Sequence, residues 1–129
     1  MRVAQRFAHI PASTSTQIQT PDLPPPRLGR VIEYIEANLG AELTLAELAG
    51  VASLNPCHFS RSFKEAVGLG PQRYTVQRRV ERAKALLRHG DNNLADVAAA
   101  VGFADQSHFT AAFRRETGTT PGRFRTAAA

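Results

Sequence analysis

The chain has 129 residues, enough for one compact domain, and carries 16 Lys/Arg against 11 Asp/Glu for a formal charge of +5. Its single cysteine, Cys57, excludes an internal disulfide, and no Cys/His group has zinc-ligand spacing, so the chain suits a reducing cytosol. No apolar run approaches the ~20 residues of a membrane span, and residues 1–26 lack the apolar stretch of a secretory signal.

Residues 1–27, with the tract Ser13-Thr14-Ser15-Thr16 and the run Pro24-Pro25-Pro26, read as a disordered Pro/Ser/Thr-rich leader. The spacing of Val31, Ile32, Ile35 and Leu39 predicts a first helix over 28–39, stopped by Gly40. Thr44 caps a second helix, and Glu47 three residues on completes a capping-box pattern; Leu45, Leu48, Ala49 and Val51 are its apolar positions. Asn55, or Ser53 before it, caps a third helix, in whose first turn Pro56 costs no hydrogen bond. Phe59 and Phe63 share its inner face, and Gly68 ends it.

Pro71 opens the longest helix, reaching Arg88, with Tyr74, Val76, Val80, Ala83, Leu86 and Leu87 on its buried side and His89-Gly90 at its end. Eighteen residues at ~1.5 Å each give a rod of about 27 Å. A rod of that length can hold the elements on either side of it at a fixed spacing. A further helix runs over 94–101, a turn follows at Gly102-Phe103-Ala104-Asp105, and the next helix runs from Gln106 to Thr117 before Gly118. A last short helix runs over 121–125. No stretch alternates as a strand, so the expected fold is all-α, about seven helices.

This order contains a repeat. His58-Phe59-Ser60-x-x-Phe63-Lys64, with Gly68, Pro71, Arg73 and Tyr74, returns fifty residues later as His108-Phe109-Thr110-x-x-Phe113-Arg114, with Gly118, Pro121, Arg123 and Phe124. Upstream, Leu45-Ala46-Glu47-Leu48-Ala49 matches Leu94-Ala95-Asp96-Val97-Ala98 at an offset of forty-nine, so the second copy has one extra residue in its turn. Two copies are too few for a solenoid. Paired helix-turn-helix units fit, and they can place two helices on DNA. Residues 1–44 balance four Lys/Arg against four acids, whereas residues 45–125 hold twelve against seven. The whole basic excess therefore sits on the repeated region, as a phosphate-facing surface requires.

The run Gly102-Phe103-x-Asp105-Gln106-Ser107-His108-Phe109-x-x-x-Phe113-Arg114-Arg115-x-x-Gly118-x-Thr120-Pro121-x-x-x-Arg125 resembles the signature of the AraC/XylS family of bacterial transcription regulators. Leu48-Ala49, Ser60-Arg61-x-Phe63-Lys64, Gly68-x-x-Pro71-x-x-Tyr74 and Arg79-Val80-Glu81-Arg82-Ala83-x-x-Leu86-Leu87 agree with it as well. The resemblance covers residues 28–126, divided into a first unit (28–70), the linker helix (71–89) and a second unit (90–126). It implies that the third and sixth helices enter successive major grooves.

On that footing Cys57, Ser60 and Arg61 form the base-facing set of the first unit, and Arg61 can bind guanine O6 and N7 in a bidentate manner. Gln106, Ser107, His108 and Thr110 hold the corresponding places in the second, where Gln106 could pair with adenine. Ala111 stands where many members of the family have a long polar residue, which leaves the second helix to thymine methyl contacts and backbone fit. Lys64, Arg78, Arg79, Arg82, Arg114, Arg115 and Arg125 are the expected phosphate anchors, some of them instead partners for Glu81 and Glu116. The expected partners are double-stranded promoter DNA and RNA polymerase, with no membrane, and the chain is expected as a monomer or weak dimer at the bacterial nucleoid in the cytoplasm.

No nucleophile–base pair, glycine-rich phosphate loop or carboxylate pair suggests an enzyme, and no cofactor or metal is implied; His58 and His108 lack partners at ligand spacing. Two regulatory arrangements stay open. The chain is a short stand-alone regulator, or it is the DNA-binding end of a longer effector-sensing protein. A protein-interaction module built on the same helices is the rival function.

Overall fold

The first helix starts on a proline. In the computed structural model, which describes residues 23–90 and 92–128, α1 spans Pro25–Ala37, and its first bond runs from the Leu28 amide to the Pro24 carbonyl at 2.9 Å. Proline suits this place because its missing N–H falls among donors that a helix start leaves unused. The helix therefore begins three residues before the expected start, within the proline run assigned to the leader. It also ends two residues early, at Ala37, and Leu39 is nevertheless buried. The rest of the expected leader, residues 1–22, lies outside the described residues.

After α1 come α2 (Leu45–Ala52), α3 (Pro56–Val67), α4 (Pro71–Arg88), α5 (Leu94–Ala100), α6 (Gln106–Thr117) and α7 (Pro121–Ala128). The fold is all-α: among the described residues there are seven helices and no strand. The chain divides into two compact units. Among the described residues, one unit comprises those up to Ala37 together with Leu43–Tyr74, and the other comprises Asn38–Glu42 with those from Thr75 onward. The segment between α1 and α2 belongs to the second unit, and α4 passes from the first unit to the second after its first turn.

In the first unit, α1 buries Leu28, Val31, Ile32 and Ile35, a stripe at helical spacing. Leu48, Ala49 and Ala52 of α2 and Phe59 and Phe63 of α3 are buried as well. Phe63 meets Phe59 and Tyr74 at ring-centroid distances of 5.6 Å each.

The second unit buries Val80, Ala83 and Leu87 of α4 with Val97, Ala98, Val101, Phe103, Phe109, Ala112 and Phe113. Val76 and Leu86, expected on the buried side, are only partly covered. The aromatic chain continues from Phe103 through Phe109 and Phe113 to Phe124, with spacings of 5.5, 5.7 and 5.5 Å. Contacts in this range are worth about 0.5–1.5 kcal/mol each beyond simple burial.

The second unit also holds a close backbone approach. A Cβ on Gly102 (φ +95) would lie 2.2 Å from the Leu39 carbonyl oxygen, and one on Gly40 would lie 2.9 Å from that of Ala100. Only glycine permits both the left-handed turn at 102 and this contact. The segment 38–42 is thereby seated on the corner between α5 and α6.

Candidate nucleic-acid interface

Each unit presents one helix, α3 or α6, capped in the same way at both ends. The Asn55 side chain accepts from the His58 amide and the Asp105 side chain from the His108 amide, both at 2.8 Å. Of the two caps expected for α3, Asn55 is the one observed. Gly68 and Gly118 end the helices in the left-handed region, donating to the carbonyls of Lys64 and Arg114 at 2.8 Å. The preceding helices are also capped alike, by Thr44 to the Glu47 amide and by Asn93 to the Asp96 amide.

The turns between helices differ by one residue. In the first unit Ser53 adopts φ +60, and Leu54 donates to the Ala49 carbonyl at 3.0 Å. In the second, Gly102 takes the left-handed place and Phe103 donates to Ala98 at 2.9 Å. The extra residue is Ala104, exposed between Phe103 and the Asp105 cap.

Helical geometry then determines what each helix offers outward. In α3 the buried residues are Phe59, Ser62 and Phe63. At 100° per residue, Cys57, Arg61 and Lys64 lie on the opposite side, and all three are exposed. In α6 the buried residues are Phe109, Ala112 and Phe113, and exposed Ser107, Ala111 and Arg114 lie opposite. Ser60 and Thr110 sit half-buried on matching flanks. The centre of the outward face is thus a guanidinium in one helix, Arg61, and a methyl group in the other, Ala111.

The structure brings Gln106, Ser107 and Thr110 together with Ala111, Arg114 and Arg115 along an open groove of about 750 Å³. His108 is not part of that lining. Its ring packs edge-on against Phe103, 5.3 Å between centroids at 79°, on the other flank of α6.

Among the expected phosphate anchors, Lys64 and Arg114 are exposed on the outward faces, Arg82 is exposed on α4, and Arg78 is half-buried. Arg115 is exposed and lies 3.9 Å from the Glu116 carboxylate. The other expected ion-pair partner, Glu81, is bonded at 2.9 Å to Lys84.

Two expected anchors are engaged inside the protein. Arg79 donates from Nε to the Leu39 carbonyl at 3.0 Å and from Nη2 to the Ala41 carbonyl at 2.8 Å, and its guanidinium carbon lies 5.9 Å from the Phe103 ring centre. Burial pushes its pKa down from the ordinary arginine value, although an arginine stays protonated over the accessible range. In this geometry the guanidinium holds segment 38–42. Arg125 likewise donates to the Asn92 carbonyl.

Phe103 escaped the sequence reading as more than a turn residue. It is buried and touches Arg79, His108 and Phe109, which ties the corner of the unit to the first turn of α6. Its place directly after the left-handed glycine was the available signal.

Comparison with known proteins is decisive at this point. The family model described as a helix-turn-helix domain matches residues 48–127. The chain belongs to the AraC/XylS family. It is 37% identical over 95 residues to the transcriptional activator RhaS of Klebsiella pneumoniae, covering 74% of this chain and 34% of that protein. It is 38% identical over 95 residues to AdaA of Bacillus subtilis, a bifunctional transcriptional activator and DNA repair enzyme, covering 74% of this chain and 45% of that one. The chain therefore spans less than half the length of these relatives.

Solved structures agree with the fold. An AraC-type regulator from Chromobacterium violaceum matches with a TM-score of 0.74 at 27% identity, covering 81% of this chain and 93% of the other. The DNA-binding domain of the global transcription factor AdpA, solved with a target DNA, matches with a TM-score of 0.74 at 28% identity, covering 78% and 91%. The relatives matched are named as transcriptional activators, and the AdpA domain was solved in complex with a target DNA. No helix among the described residues is long and apolar enough to cross a membrane.

Proposed function

We propose that the chain binds promoter DNA sequence-specifically by inserting α3 and α6 into successive major grooves. The observation that carries this reading is the pair of helices with matching caps, each anchored inward by two phenylalanines and presenting a short polar residue and a cation outward. Such a face supplies base-edge donors while basic side chains hold the sugar-phosphate backbone. Arg61 reads guanine, Cys57 and Ser60 complete the first set, and Gln106, Ser107 and Thr110 form the second. Lys64, Arg78, Arg82, Arg114 and Arg115 neutralise phosphates, and His108, packed on Phe103, contributes less than its neighbours.

Bound DNA is put to use by contact with RNA polymerase, and the effect is activation, as in the activators it resembles. The chain works in the bacterial cytoplasm as a monomer or weak dimer and catalyses no reaction, in contrast with what the name of AdaA describes. Selection of binding sites from random duplexes tests the proposal. An enriched motif with two half-elements about ten base pairs apart is expected, and no enrichment would refute it.

A further inference from the structure

The two reading helices match at almost every outward position except the central one. Cys57, Ser60 and Lys64 of α3 correspond to Ser107, Thr110 and Arg114 of α6, whereas Arg61 corresponds to Ala111. In α6 the long polar side chains stand only at the ends of the groove: Gln106 is the first helical residue, and Arg114 and Arg115 lie two turns on. Between them the surface consists of Ser107, Thr110 and Ala111, whose reach is short.

The Ala111 methyl is exposed at the middle of this stretch, and the half-buried Thr110 adds a second methyl beside it. A short side chain at the centre brings the helix close to the groove floor and offers no hydrogen bond there. Thymine alone presents a methyl group in the major groove.

We propose that Ala111, with Ser107 and Thr110 around it, forms a seat for the 5-methyl group of one thymine, and that this contact is the main base readout of the second unit. Arg114 and Arg115 fix the depth of the helix from the phosphates. The proposal rests on the reading of α6 as a groove-entering helix. The two half-elements of the target then differ in kind, one centred on a guanine beneath Arg61 and the other on a thymine beneath Ala111.

The test replaces each thymine of the second half-element of a selected site by deoxyuridine, one at a time. Uracil keeps the O4 acceptor and the pairing and loses only the methyl. One position is expected to weaken binding about fourfold, the equivalent of roughly 0.8 kcal/mol for one buried methyl. In Ala111→Gly the thymine-to-uracil ratio at that position falls towards one. Each variant is compared with itself on two duplexes, so any loss of helix stability cancels. Ala111→Gln, which keeps a good helix former, abolishes the ratio as well and shifts the preferred base.

A second half-element without thymine, uniform tolerance of uracil in the wild type, or a ratio that persists in both variants overturns the inference while leaving DNA binding intact. Failure to select any motif overturns the DNA reading itself and the inference with it.

Discussion

Replacing Arg79 by alanine separates an internal clamp from a phosphate anchor. The substitution removes two charge-assisted hydrogen bonds, to the carbonyls of Leu39 and Ala41, and a cation–π contact with Phe103. Hydrogen bonds to a charged group contribute about 1.5–3 kcal/mol each, and an exposed cation–π contact about 0.5–1 kcal/mol. Ala41 is exposed, so its carbonyl turns to water at little cost, whereas Leu39 is buried and its carbonyl faces the Gly102 corner. The expected loss is therefore about 2–4 kcal/mol, below the sum of the individual contacts. For a domain near 100 residues, each kcal/mol shifts Tm by roughly 4–8 °C, so thermal melting by circular dichroism should fall by at least about 8 °C. Arg79→Lys recovers only part of this, because one ammonium cannot span both carbonyls. The second assay is the salt dependence of DNA binding. A lost phosphate contact reduces the slope of log K against log salt by about 0.9; a lost clamp weakens binding and leaves the slope unchanged. An Arg79→Ala variant with wild-type Tm and a slope smaller by about one would refute the reasoning.

Arg61→Ala, at an exposed position, should leave Tm within about 1 °C, weaken specific binding by about tenfold or more, and relax the guanine preference at one position of the selected motif. Gly102→Ala should cost at least about 3 kcal/mol in denaturant unfolding, because the left-handed backbone and the Leu39 carbonyl both oppose a Cβ. Ser53→Gly should stabilise by up to about 1 kcal/mol by relieving φ +60; a loss of stability in this variant would contradict the assignment. The Tyr34 hydroxyl donates to Glu47, which raises its pKa above the ordinary tyrosine value of about 10. The bond's contribution is thus complete below about pH 10 and disappears as pH rises through the raised folded-state value. A pH series of unfolding midpoints should show a shallower alkaline decline in Tyr34→Phe.

Much of this architecture was legible in the chain because local chemistry and tertiary context agree. Pro71, the cap Asn55 and the stops Gly68 and Gly118 act within one turn of where they stand, and the structure uses them as the residue types dictate. The phenylalanine pairs likewise define the inner faces of α3 and α6 from spacing alone. What escaped depends on residues distant in sequence. Arg79 lies next to Arg78 and near Arg82 in a basic stretch, and nothing local distinguishes a solvent-facing guanidinium from one bound to carbonyls some forty residues earlier. The helix α1 stops at Ala37, before the last apolar residue of its pattern, and the Leu39 carbonyl accepts from Arg79 instead. At the other end, a proline run reads as linker, although one of its members suits the first turn of a helix. His108 was grouped with its neighbours by position in the repeat, and the aromatic partner that turns its ring aside, Phe103, has the smaller Leu54 as its counterpart in the first copy.

Hydroxyl-radical footprinting on a selected duplex tests the two-groove account most directly. The account predicts two protected backbone segments on one face of the duplex, their centres about ten base pairs apart, with Arg61→Ala weakening one more than the other. A single protected segment of one half-element, unchanged in length when the second unit's Arg114 and Arg115 are both replaced by alanine, would contradict it.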